Sequence, residues 1–191
     1  MIILAVGIIA FTTLYLFWPS SHSEIMKESF ENGFGDWTPD GSVPLDPRNP
    51  GHSVEWNITR VTEVFHSGQY ALKFFIDGSQ DDGTIWIERK ITVRKNSQVQ
   101  INITFEFYSE SEFSANTVAA ICAYVGTRSP ASEDDFIILG PANEVADWKK
   151  YGYGRALNTA SSEEVWVAIG ITVRWETYLT YHIDDIEVEI K

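Results

Sequence analysis

Apolar and polar residues alternate strictly along much of the chain. From Val99 to Tyr108, the residues Val99, Ile101, Ile103, Phe105 and Phe107 fall on one side and Gln100, Asn102, Thr104, Glu106 and Tyr108 on the other. That is the period of a half-buried strand. Val165, Val167, Ile169, Ile171 and Val173 repeat the pattern. Further strands are predicted at 56–64, 70–76, 84–93, 117–125, 136–139, 148–157 and 178–190, set off by turn signals at Asp77-Gly78, Asp82-Gly83 and Lys95-Asn96. No helical periodicity intervenes, so the prediction is an all-β fold, two antiparallel sheets packed as a β-sandwich of jelly-roll type. Residues 38–52, rich in Pro and Gly, read as a long loop over one end, and 141–148 as the one place for a helical turn.

The last strand changes parity. Leu179, Tyr181 and Ile183 face one way, whereas Ile186, Val188 and Ile190 have the opposite parity. A β-bulge at Asp184-Asp185 reconciles the two halves.

Ahead of the strands, Ile2 to Trp18 is an uncharged run of 17 residues, the lower limit for a membrane-spanning helix. No basic residue precedes it and no small-residue cleavage site follows. Residues 1–18 are therefore expected to be a transmembrane anchor, residues 19–27 a linker and residues 28–191 the sandwich domain. The alternative is a signal peptide, with secretion if residues 1–23 are cleaved. Every charged residue lies beyond Trp18. The expected arrangement is a single-pass protein of the cell membrane with its domain extracytoplasmic. Sequons at Asn57 and Asn102 are compatible with that side.

Composition narrows the partners. With 14 Lys plus Arg against 27 Asp plus Glu, the net charge of −13 argues against nucleic acid. The single cysteine, Cys122, forms no intrachain disulfide and sits in an apolar strand. Aromatics make up 14% of the chain, more than a core of this size usually needs, so some rings are expected at a surface.

Three segments carry a family resemblance: Ser29 to Trp37 (SFENGFGDW), His66 to Leu72 (HSGQYAL) and Tyr181 to Val188 (YHIDDIEV). Together they resemble the galactose-binding-like jelly-roll superfamily, in particular the carbohydrate-binding modules appended to glycanases, over residues 28–191. The resemblance implies a non-catalytic module that binds a poly- or oligosaccharide. It also implies a structural calcium where the first and last strands meet, with Glu31 and Asp184 or Asp185 as ligands.

A sugar needs exposed aromatic planes beside hydrogen-bonding groups. Strand parity nominates Trp86 and Trp166, with Tyr108, Asn102 and Arg174 nearby if their strands are neighbours; Trp37 and Trp56 offer a second platform in the loops. Two other readings stay open. A surface adhesion protein would bind another protein through a flat apolar patch or an open strand edge. A hydrolase would use Asp185, Glu187 and Glu189, a row that resembles the carboxylate strand of jelly-roll glucanases. No nucleophile, zinc or phosphate-binding motif is present, and His22, His52, His66 and His182 lack metal-ligand spacing, so no enzyme activity is expected.

Overall fold

The computed structural model describes residues 23–77, 83–112, 119–159, 162–173 and 180–191. The predicted anchor at residues 1–18 and the candidate Arg174 lie outside them. Among the described residues no helix is long and apolar enough to cross a membrane.

Among the described residues eleven strands occur in chain order: β1 (Glu24–Glu28), β2 (Thr38–Ser42), β3 (Trp56–Val61), β4 (Ala71–Ile76), β5 (Gly83–Thr92), β6 (Gln98–Ser109), β7 (Ala119–Gly126), β8 (Ile137–Pro141), β9 (Trp148–Asn158), β10 (Glu164–Val173) and β11 (Thr180–Ile190). They form two antiparallel sheets. The first has the order β3-β4-β11-β6-β9 with β1 added against β11, and the second β2-β5-β10-β7-β8. The expected all-β sandwich is therefore what the chain builds. The helical turn expected at 141–148 is absent, and a 3-10 turn occurs instead at Glu133–Asp135.

The alternating strands build the interior as their pattern requires. Ile101, Ile103, Phe105 and Phe107 of β6 meet Val165, Val167, Ile169 and Ile171 of β10 in one core, all at or near zero exposure. Burying such side chains, each worth about 1.5–3 kcal/mol, is what holds the sheets face to face.

In β11 the pairing with β6 slips between Asp184 and Glu187, and Asp185 takes φ 47°. Both halves of the strand thereby keep their apolar side chains inward. Opposite β6, the other edge of β11 is shared: β4 pairs with Thr180 to Ile183, and β1 with Ile186 to Ile190. The bulge falls at the handover, and the 29–37 turn and the 62–70 loop converge there.

A second, smaller cluster lies on the outer face of the β2-β5-β10-β7-β8 sheet. The segment after β7 folds back and sets Phe136 against Trp86 and Tyr124, with ring centroids 5.1 and 6.0 Å apart. Arg128 pairs with Asp135, whose carboxylate also accepts the Ala131 N–H at 2.8 Å, holding this strap in shape.

Candidate functional site

The sequence candidates do not come together. Tyr108 and Asn102 lie on the outer face of the β1-containing sheet, whereas Trp86 and Trp166 lie on the outer face of the other sheet, across the core. Trp86 does leave its strand on the outward side. It is nevertheless only 1% exposed, because Phe136 covers it, and its Nε1–H donates to the buried Glu88 carboxylate at 3.0 Å. It is a packing residue, so its expected role as an exposed stacking ring is corrected. Trp166 is half-buried with Lys90 about 6.0 Å from its ring. Trp37 is buried and Trp56 packs against the core, so neither forms a loop-tip platform.

On the opposite face, Tyr108 has company that strand periodicity alone did not assemble. β9 places Trp148 directly opposite it, and β11 places His182 on its other side. The Tyr108 and Trp148 rings are 5.3 Å apart, both half-buried, and His66 from the 62–70 loop meets the edge of Trp148 at 5.4 Å. These rings form one ledge. His182, at 5.7 Å from Tyr108, forms its buried back wall; burial, helped by Lys73, lowers its pKa to about 4.

Two residues further along β6 and β9, about 7 Å away on the same face, stand Glu106 and Lys150. Beside them a cavity of about 580 Å³ opens over the bulge, lined by Asp185 and Glu187 of β11, Lys27 and Glu28 of β1, and the 29–32 turn. Five carboxylates against two lysines make it acidic. That volume is in the range of small-ligand sites. Asp185 links groove to ledge: its carboxylate accepts His66 Nδ1–H at 2.6 Å and the Ser67 hydroxyl at 2.7 Å. The Asp185 hydrogen bond holds the His66 pKa above its ordinary value.

Asn102 lies on this face, further along β6, with its amide spent on Glu189 at 3.1 Å and its oxygen accepting from Gln100 at 2.9 Å. The row considered for hydrolysis is likewise engaged, Glu187 with Lys27 at 3.0 Å and Glu189 with Lys191 at 2.8 Å.

The proposed calcium ligands gather where the resemblance implies, but one oxygen of Glu31 and both oxygens of Asp184 already accept backbone N–H groups. Glu31 accepts the backbone N–H groups of Gln69 and Tyr70 at 2.9 and 3.1 Å. Asp184, fully buried, accepts those of His66, Ser67 and Asp185 at 2.9, 3.1 and 2.7 Å. Among the described residues, no group of three or more His, Cys, Asp or Glu side chains is arranged to hold a metal ion. A calcium ion, which takes six to eight oxygens, would have to share these acceptors with the N–H groups that already donate to them.

Against this geometry, the solved structures show a shared architecture. The module TmCBM61, solved in complex with β-1,4-galactotriose, superposes with a TM-score of 0.52 at 15% identity, covering 84% of this chain and 92% of that one. The two share a jelly-roll β-sandwich fold. The K3 cleaved adhesin domain of the Lys-gingipain of Porphyromonas gingivalis W83 shares it at a TM-score of 0.50 and 12% identity, over 88% of this chain and 99% of that domain. No protein-family model and no curated protein matches the sequence. At these identities the likeness is one of fold, and of its two outer sheet faces only one, among the described residues, carries an open ledge beside a polar groove.

Proposed function

We propose that the domain is a non-catalytic carbohydrate-binding module whose sugar site is the Tyr108, Trp148 and His66 ledge together with the groove of Glu106, Lys150 and Asp185. The observation that carries this reading is the placement of half-exposed aromatic rings next to a polar cavity on one sheet face. A pyranose offers an apolar face to the rings and hydroxyls to the carboxylates and the ammonium. The acid excess of the groove disfavours uronates and sulfated glycans, whose like charge would go unpaired there, and favours neutral sugars. Residues 1–18 are read as the tether that holds the module on the outer side of a membrane.

The decisive measurement is glycan binding by wild type and by Trp148→Ala. Wild type should bind neutral oligosaccharides in preference to oligouronates. Trp148→Ala should weaken binding about tenfold, equivalent to ~1.4 kcal/mol, while melting within a few degrees of wild type, because its ring is only half-buried. Absence of binding by wild type, or unchanged affinity in the variant, would sink the reading.

One observation favours a second reading. β8 is the edge of its sheet and exposes Ile137 and Ile138 at 50% and 44%. An open apolar edge of this kind is where a protein partner could add a strand. Charged substitutions at Ile138 that abolish capture of a protein ligand, with glycan binding intact, would favour it.

A further inference from the structure

The 29–37 turn, which leads off the first strand beside the last, already holds a cation. β3 carries Arg60 toward the 29–37 turn, and its guanidinium donates from Nε to the Phe30 carbonyl at 2.5 Å and from Nη2 to the Glu31 carbonyl at 2.6 Å. Its Cζ lies 3.1 Å from the centre of the Tyr70 ring. Phe30 is buried and held at φ 60°, in the left-handed region that non-glycine residues seldom adopt, and two successive carbonyls of this turn converge on the one guanidinium.

We infer that Arg60 takes the place of a structural metal ion beside the junction of the first and last strands, so that a guanidinium ties the 29–37 turn to β3 and to the end of the 62–70 loop and the domain folds independently of calcium. The chemistry of the donors supports this. Two carbonyls side by side match the planar fork of an arginine, and the aromatic face of Tyr70 completes its surroundings. A calcium ion would have to compete with that fixed positive charge for the same carbonyls. To reach six or more oxygens it would also have to compete with the backbone N–H groups that occupy both oxygens of Asp184 and one of Glu31, weakening those bonds in a partly buried place. The inference concerns the fold and holds whether or not the groove binds a sugar.

The test has two independent arms, both on the full chain. In the first, wild type is melted in chelator and in excess calcium, and titrated with terbium, whose emission nearby tyrosines would sensitise. The expected result is one melting temperature in both conditions and no saturable terbium signal. A melting temperature that rises with calcium or falls with chelator would overturn the inference, because an ion that binds only the native state must stabilise it. In the second arm, Arg60→Ala should melt about 5 °C or more below wild type, on the usual scale for a domain of this size. Arg60→Lys should recover only part of the loss, since an ammonium cannot span both carbonyls and stack on the ring. Melting of Arg60→Ala at the wild-type temperature would overturn the assignment of Arg60. The first arm needs no variant, so it decides the metal question even if Arg60→Ala does not fold.

Discussion

Trp86→Ala is expected to cost the domain about 3–5 kcal/mol, the range of an aromatic deletion in a packed interior. The indole is 1% exposed and touches the strap ring of Phe136 on a floor of Cys122 and Ala168. Gly170 on β10 pairs with Trp86, and a methyl group there would run into the Ile85 carbonyl and come within 2.7 Å of the Trp86 Cα. No larger residue on β10 could replace that glycine without displacing the β5 backbone that carries Trp86. Removing the indole leaves a void and takes one donor from Glu88, which is 7% exposed and would keep the Ser129 hydroxyl at 3.0 Å. Chemical denaturation of the variant checks this. A change below about 1 kcal/mol would mean that the strap closes over the gap or does not hold the ring.

Acidification from neutral pH is expected to destabilise the fold, and His182 should account for about 3 kcal/mol of the loss. Its pKa falls from 6.5 to about 4 on folding, chiefly through burial, and each unit is worth about 1.4 kcal/mol. A depressed folded pKa means that the unfolded chain takes up the proton first. The contribution is therefore fully present above about pH 6.5 and is lost as pH falls toward 4. Lys73 on β4 and Glu63 act on the imidazole from their own elements, the lysine reinforcing the depression and the glutamate opposing it. Two neighbours have the reverse sign. His66 is raised by its bond to Asp185, so its contribution is complete below 6.5 and fades as pH rises through its folded pKa; Asp184 is raised by burial. The clean measurement is thus the difference between wild type and His182→Gln across this window, read as denaturation midpoints. Parallel curves would show that His182 is solvated in the folded protein.

Strand parity was sufficient for the core and for the irregularity in β11. The alternating residues of β6 and β10 all turn inward, and the parity change at Asp184-Asp185 is the observed bulge. Parity failed where a strand has no apolar face to advertise. β1 (EIMKE) and β2 (TPDGS) are edge strands formed from segments read as linker and loop, and what recruits them is the unpaired backbone of β11 and β5. Backbone donors and acceptors are the same for every residue, so that recruitment leaves little trace in side chains. Pro39 is tolerated in β2 because an edge strand uses only one of its two hydrogen-bonding sides.

For the site, the sequence by itself determined which residues leave their sheet on the outer side, Trp86, Trp166, Tyr108 and Asn102 among them, and it supplied Tyr108 to the ledge. Only the tertiary structure decided that these four divide between opposite faces, that Phe136 covers Trp86, and that Trp148 and His66 join Tyr108. It also decided that Arg60, from a strand that the sequence marked for nothing but pairing, reaches the carbonyls beside Glu31. The physical reason is the same throughout. Alternation along a strand specifies a direction relative to that strand's own sheet, whereas stacking, cover and charge pairing depend on which strands become neighbours and where the loops fold back, through contacts between residues far apart in the chain.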